Sequence, residues 1–465
     1  MICINGKLSG LIEIERGIKQ GDPLSMWLYI LCLQDLLFLI KANNFIHGYK
    51  LKIIDNNETK SRAYADDVNL SLIDSESIEE TFKEFEIWGQ LSGGEINKEK
   101  NKILNINGTL NEKFQHLQNN EIKILGLLFD KSGISKRNLE IITLSIDKSL
   151  AIWNIKQLDM LQRITAIKTF ILSKLWFTVN FIHLNKQQMS DLERKIFNFI
   201  WNNKSELIKR KTIIKDCNSG GLNMICINSK VTAILLKQFQ NILKNHERVE
   251  YQFSIIWLKF LLRKFLKNFN IIPTGNINDT PIYYKNMKLV VEKYKKNLIN
   301  SEYFSILSLK TIYIRIKLSY EITPRIEDLF RDKDWCEIYK TIMHKKLLSK
   351  YKVLNYKIIF NAITIKSKLN KEERSKIKCL FCGVRDPNSF HIFAECKITK
   401  YIISTCCPEF NFLNNDSIIF HEKLSIKDVI LVSRIKFAIN RLYNLCYYEV
   451  FDIKKMELSF LNFLK

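Results

Sequence analysis

Arg62–Leu72 reads RAYADDVNLSL. Two short runs of strand-forming residues meet at Asp66-Asp67, which predicts a β-hairpin with two acids at its tip. Adjacent carboxylates repel, so the pair costs stability unless a cation neutralises it. Mg²⁺ suits such a pair, because it prefers carboxylate oxygen and keeps waters for substrate phosphates. Carboxylates that bridge two ions are what two-metal phosphoryl transfer requires. Taken alone, the four residues YADD also fit an ordinary surface turn.

Upstream of the hairpin, Arg16–Ser25 reads RGIKQGDPLS, a glycine-punctuated turn. Pro23 suits the first position of a helix with Asp22 as cap, and the apolar run predicts a helix over 24–41. Downstream, Ile78, Phe82, Phe85 and Trp88 recur at helical spacing, which predicts a helix from Ser75 to Ser92 ended by Gly93-Gly94. Ile103–Asn105 and Ile122–Phe129 read as strands. Helix, acidic hairpin, helix and strands together make an α+β layer.

From Lys136 onward the pattern is helix after helix. Helices are expected over 158–179, 187–201 and 234–243, with Ser219-Gly220-Gly221-Leu222 as a turn. Pro273–Pro281 is a linker candidate. A second helical region is expected over 286–369, and a last helix over 424–455.

Charge follows the same division. Residues 1–135 hold 15 Lys and Arg against 19 Asp and Glu, net −4; the rest hold 57 against 29, net +28. A basic segment rich in aromatic residues suits a phosphate backbone with stacked bases, although a lysine-rich composition would also scatter solvated Lys over every face. The N-terminus lacks a basic segment followed by an apolar one, so no secretory signal is read there. The longest apolar stretch, Trp27–Ile40, is interrupted by Gln34 and Asp35 and is too short for a bilayer span. A nuclear and cytoplasmic protein, not secreted and without a membrane partner, is the expectation.

The 11 cysteines are scattered except near 379–407, which suits a reducing compartment with one local metal site. Cys379-x2-Cys382-x8-His391-x4-Cys396 offers three sulfurs and one imidazole, the donor set of a closed tetrahedral Zn²⁺ site. Gly383 permits the reversal that lets the first two thiolates face one ion. Four ligands leave no open position, so the zinc is structural. Cys406 and Cys407 exceed the need, and the other histidines read as ordinary positions.

RGIKQGDPLS followed about 40 residues later by YADD resembles the palm blocks of reverse transcriptases, in the form found in non-LTR retrotransposons of the long interspersed element type. LSGGEINKEKNKIL (Leu91–Leu104), KILGLLF (Lys123–Phe129), FIW (199–201) and SGGLN (219–223) are similar to that family's later palm and thumb segments. The Cys-Cys-His-Cys knuckle after the thumb is also a feature of the family. The resemblance covers about residues 8 to 400.

It implies a partial reverse transcriptase palm, an antiparallel sheet plus helices, over 1–135. An all-α thumb over 136–272, a helical connector over 282–369, a zinc knuckle over 370–410 and a helical tail over 411–465 would follow. Asp66 would bind the catalytic Mg²⁺ ions, with Asp67 in support, and Tyr64 and Ala65 would shape the hairpin. Arg16, Gln20 and Gly21 would lie against template and nucleotide, Lys100 or Lys98 near the nucleotide phosphates, and Leu125-Gly126 at the primer end. The partners would be an RNA template and a DNA primer.

The family's upstream palm carboxylate, its fingers and its endonuclease have no counterpart here, so Met1 reads as an internal methionine of a longer reading frame. A polymerase fragment inactive by itself, and a catalytically dead nucleic-acid-binding remnant, are both open. A group II intron-type maturase fits less well, given the PLS ending of the glutamine-glycine block and the knuckle.

Overall fold

A computed structural model of the chain describes residues 3–10, 21–50, 58–97, 99–262, 280–299, 304–318, 324–363, 378–385, 387–411, 413–449 and 451–464. Arg16, Gln20, Lys98 and most of the linker candidate Pro273–Pro281 lie outside them. The chain divides into two compact units, one over 1–141 with 270–279 and one over 142–269 with 280–465. Helices dominate, and the sheets are small and antiparallel.

In the first unit, helix α1 (Ser25–Ala42) starts after Pro23, and Asp22 Oδ1 accepts from the Leu24 amide at 2.8 Å. Asp22 therefore holds the approach turn rather than capping the first helical turn. Leu33, Leu36 and Ile40 recur at intervals of three and four and are buried with Ile46, packed by Val68, Phe85 and Trp88. Each buried aliphatic side chain contributes roughly 1.5–3 kcal/mol. The Trp88 indole N–H donates to the Cys32 carbonyl at 2.9 Å and ties α2 (Ser75–Ser92) to α1. Asp74 caps α2 by accepting from the Ser77 amide, and Gly93 closes it at φ +72°, a conformation cheap only for glycine.

By length and composition α1 is apolar enough to cross a bilayer, with a mean hydropathy of 1.5 over its 18 residues. The sequence reading of too short a span is corrected by the observed length. The Leu33–Leu36–Ile40 row is buried against protein, and Gln34 and Asp35 are exposed.

The strands form separate ladders. Strands β1 (Cys3–Ile4) and β2 (Lys7–Leu8) pair, as do β3 (Tyr49–Lys50) and β4 (Glu58–Thr59). Strands β5 (Ser61–Tyr64) and β6 (Asp67–Leu70) form the acidic hairpin, in the register Tyr64↔Asp67 and Ala63↔Val68. The run Ile122–Phe129, whose KILGLLF resembles the family's strand pair, is two strands. It folds as β7 (Glu121–Ile124) and β8 (Leu127–Asp130), with β9 (Gly133–Ile134) beside β8. Leu125-Gly126 makes the break, both residues at positive φ, as a two-residue hairpin turn requires. Ile103 makes only an isolated bridge to Gln118.

The second unit is helical. Its first group is α3 (Arg137–Asn154), whose first turn falls in the first unit, α4 (Met160–Ala166), α5 (Ser173–Thr178), α6 (Lys186–Ile200), α7 (Arg210–Ile214), α8 (Ile227–Lys244) and α9 (Val249–Leu262). A π-helical turn, Ile167–Ile171, joins α4 to α5 where one continuous helix was expected. Then come α10 (Ile282–Tyr294), α11 (Leu309–Leu318), α12 (Arg325–Leu329), α13 (Trp335–Ile342) and α14 (Ser349–Ile359). The last four are α15 (Lys397–Cys406), α16 (Asn415–Phe420), α17 (Ile426–Leu445) and α18 (Ile453–Leu464). The single last helix expected over 424–455 is thus two. The turn after Leu445 lets α18 fold back on α17, where the Arg434 guanidinium donates to the Leu464 carbonyl at 2.6 Å.

The Ser219–Leu222 turn is closely packed at its glycines. A Cβ on Gly221 would stand 1.9 Å from the Lys215 carbonyl oxygen. The Gly220 carbonyl accepts from the buried Tyr356 hydroxyl at 3.1 Å.

Candidate metal centre and acidic hairpin

The zinc ligands predicted from spacing come together. The Cys379, Cys382, His391 and Cys396 donor atoms all lie within 4.8 Å of one another, and Cys382 Sγ is 3.3 Å from His391 Nε2. Ligands at zinc-sulfur distances of 2.3 Å around a tetrahedral ion stand roughly 3.8 Å apart, so the donor set fits one Zn²⁺. Local backbone chemistry explains the convergence. The Cys379 amide donates to the Val384 carbonyl at 2.7 Å, and the Gly383 amide returns to the Cys379 carbonyl at 2.8 Å. Gly383 sits at φ +74° with open space around it, so conformation and not crowding calls for glycine there.

The second pair stands on a π-helical turn, His391–Glu395, followed by Cys396 at the N-cap of α15. The Cys396 amide donates to the His391 carbonyl at 2.7 Å. Cys379 and Cys396 are buried and share a hydrogen bond that pushes the Cys379 thiol up and holds Cys396 toward thiolate. Backbone amides of Ile398 and Thr399 lower Cys396 further, while those of Phe381 and Cys382 act against the upward push on Cys379. Amides aimed at sulfur favour its anion, the form that binds metal.

The knuckle is anchored to its surroundings. The Leu380 amide donates to the Tyr443 hydroxyl of α17 at 3.2 Å, and the Phe381 and Tyr443 rings meet edge to face at 4.9 Å. Ser389 donates through amide and hydroxyl to Asn361 Oδ1, at 2.8 and 2.9 Å. Tyr443 and Asn361 carry no local sequence signal of this role; both stand far along the chain from the ligands.

The hairpin site is arranged differently. Asp66 lies in the turn and Asp67 opens β6, and both are exposed. Ala65 sits at φ +50°, a costly conformation for a residue with a Cβ and one found at functional turns. Tyr64 is 69% exposed. Burial, then the Asp66 charge, push the hydroxyl pKa of Tyr29 in α1 up. The spacing Tyr29–Leu33–Leu36–Ile40 marks the core row of α1, but nothing in it points to Asp66.

Among the described residues, no third carboxylate or imidazole joins Asp66 and Asp67 in a metal-binding group. The residues present fit only part of a Mg²⁺ site. Gly21, at φ +90°, and Lys100 are exposed, and the Lys100 amide donates to Asn97 Oδ1 at 3.2 Å. Leu125 and Gly126 form the β7–β8 turn. Among the described residues, no hydrogen bond or ion pair links Lys100, Leu125 or Gly126 to the hairpin.

Comparison with known proteins places the two sites in two family segments. Residues 1–129 match the family described as reverse transcriptase (RNA-dependent DNA polymerase), and residues 320–402 match the zinc-binding region in reverse transcriptase. The chain is 25% identical over 374 residues to the transposon TX1 uncharacterized 149 kDa protein of Xenopus laevis, covering 72% of this chain and 28% of that protein. It is 50% identical over 36 residues to an uncharacterized mitochondrial protein of Arabidopsis thaliana, 8% of this chain and 30% of that one. The chain thus spans less than a third of the length of either relative.

Proposed function

Starting from a chain that combines a reverse transcriptase segment of the non-LTR retrotransposon type with that family's zinc-binding region, we propose a division of labour along it. Residues 1–135 are part of the palm of an RNA-directed DNA polymerase, and residues 136–465 hold the RNA template and DNA primer. In this reading 136–272 serve as thumb, 282–369 as connector, 370–410 as knuckle and 411–465 as tail. The observation that carries the reading is the hairpin, which presents Asp66 and Asp67 to solvent at a tight turn. Within the matched segment that placement suits metal-bound substrate.

Asp66 would hold Mg²⁺, with Asp67 in support; the ion's contribution is to neutralise charge on the attacking and leaving oxygens. Tyr64 and Ala65 fix the direction of the tip. Arg16, Gln20 and Gly21 would lie against template and nucleotide, Lys100 near the phosphates, and Leu125-Gly126 against the primer end. In unit 2, Zn²⁺ would be held by Cys379, Cys382, His391 and Cys396 and would cross-link the knuckle. The working compartment is intracellular, nucleus and cytoplasm.

A second reading, nucleic-acid binding without catalysis by these 465 residues alone, is favoured by the absence of a third carboxylate beside Asp66 and Asp67 among the described residues. Primer extension tests both. A polypeptide of residues 1–465 is expected to give no extension of a primed RNA with Mg²⁺ or Mn²⁺. Robust extension that Asp66→Ala removes would overturn the second reading. In a longer polypeptide, with a reverse transcriptase's upstream segment fused before residue 1, Asp66→Ala is expected to reduce extension to background and Asp67→Ala to cost less. Extension unaffected by Asp66→Ala would overturn the first.

A further inference from the structure

Helix α17 carries an acid-free stretch: from Val429 to Tyr448 the sequence contains Arg434, Lys436 and Arg441 and no Asp or Glu. Phe437, Arg441, Asn444 and Tyr448 follow at spacings of four, three and four, which places them along one face. Tyr447 and Tyr448 lie just past the last residue of α17. The turn carries on there, with the Tyr448 amide donating to the Leu445 carbonyl at 2.9 Å. At a rise of 1.5 Å per residue, the face from Phe437 to Tyr448 is about 16 Å long.

Two cations converge on one ring at its start. The Lys350 ammonium of α14 lies 4.7 Å from the centroid of Phe437, and the Arg441 guanidinium 5.5 Å from the same centroid. Lys350 also sits 5.2 Å over Tyr351, and Arg441 5.8 Å over Phe463. Both cations are exposed, and neither makes an ion pair among the described residues. Ring faces attract cations, so the aromatic cluster holds two like charges close together without a carboxylate to offset them. The nearest acid in sequence, Glu449, is paired with Lys455 at 3.3 Å. At the far end, Tyr447 is 72% and Tyr448 81% exposed, with their rings edge to face at 5.4 Å.

Cations that lack counter-charges call for an anion, and two largely exposed tyrosine rings beside them call for flat apolar surface. Unpaired nucleotides supply both in one chain, a phosphate for each cation and a base for each ring. An acidic peptide would satisfy the cations and leave the tyrosines in water. A duplex keeps its bases stacked on each other and offers no base face. We propose that Lys350, Phe437, Arg441, Asn444, Tyr447 and Tyr448 form a docking face for single-stranded nucleic acid. The proposal rests on the reading that residues 136–465 bind nucleic acid, and assigns that binding to a particular face.

The test is anisotropy of a labelled, mixed-sequence single-stranded RNA of about 20 nucleotides, titrated with the full chain across a salt series. Lys350→Ala with Arg441→Ala is expected to make the log–log salt dependence shallower by roughly 1.4, at about 0.7 per phosphate contact. Tyr447→Ala with Tyr448→Ala is expected to weaken binding by roughly 30-fold or more, at about 1 kcal/mol or more for each of two bases, while leaving the salt slope in place, the mark of lost stacking. Because Arg441 also packs on Phe437 and Phe463, Lys350→Arg with Arg441→Lys serves as a second variant that keeps both charges, and it should retain the slope. Wild-type affinity and slope in both the alanine and tyrosine variants would overturn this face while leaving nucleic-acid binding by the chain intact. Failure of the wild-type chain to bind at all would overturn the broader reading. Displacement of the RNA by polyglutamate or by duplex of equal charge at equal concentration would also overturn the single-strand assignment.

Discussion

The acidic hairpin and the zinc knuckle are both tight turns that carry metal-binding side chains, and they are built in opposite ways. At the knuckle, four donors converge within 4.8 Å, two of the sulfurs are buried, and backbone amides point at them. At the hairpin, Asp66 and Asp67 stand exposed, with no third ligand beside them among the described residues. The knuckle is complete within 18 residues of chain, so one ion can organise it. The hairpin presents carboxylates outward, toward groups that the turn itself does not supply. Metal is therefore expected to matter for folding at the knuckle and for chemistry at the hairpin.

Removing the metal from the knuckle should have the largest effect. Structural zinc contributes apparent binding free energies on the order of 10 kcal/mol to small modules. Chelation, or Cys396→Ala, is expected to expose 378–406 to rapid amide exchange while α1 and α2 keep their protection. Equal protection with and without chelator would place the knuckle in the same class as the hairpin.

The tight packing of the second unit extends beyond its ligands. A methyl group on Gly221 would stand 1.9 Å from the Lys215 carbonyl oxygen, so Gly221→Ala requires the backbone to move. A loss of about 3 kcal/mol or more is expected, read as a lower denaturant midpoint for unit 2. A midpoint shift under 1 kcal/mol would mean that the turn relaxes freely.

Acid should weaken the same unit. His421 is buried at φ +58°, with Nε2 2.9 Å from Lys436 Nζ; burial first, then Lys436, hold its pKa well below the ordinary 6.5, and burial lowers the Lys436 amine as well. The unfolded chain therefore takes up this proton first. His421's contribution is fully present above about pH 6.5 and is lost as pH falls below it. Denaturant midpoints measured from pH 7.5 to 5 should fall, and His421→Gln should flatten that fall. An identical pH profile in the variant would show that other groups control the acid limb.

The smallest effect on folding is expected at the hairpin. Asp66→Ala and Asp67→Ala should each leave stability within about 0.5 kcal/mol of the parent, as exposed substitutions do, or raise it slightly by removing like-charge repulsion. A large loss would mean that the hairpin carboxylates hold the fold.

Much of this was legible in the sequence because it is local. The hairpin at 61–70, the helix Ser75–Ser92 and the ligand spacing of the knuckle each depend on residues within about 20 positions of one another. What the sequence hid is either a break in a regular pattern or a long-range partner. The turn after Leu445 splits a helix, because turn chemistry overrides hydrophobic periodicity there. The Tyr443 anchor, 63 residues from Leu380, and the influence of the Asp66 charge on Tyr29 have no signature in spacing at all.

The most direct test of the contrast is zinc content per chain, measured on the full chain after exhaustive dialysis against metal-free buffer. One zinc per chain is expected, falling toward zero in Cys382→Ser and unchanged in Asp66→Ala with Asp67→Ala. A stoichiometry near zero in the parent chain, or one that Cys382→Ser leaves at its parent value, would contradict the account of the knuckle as a closed, metal-organised site.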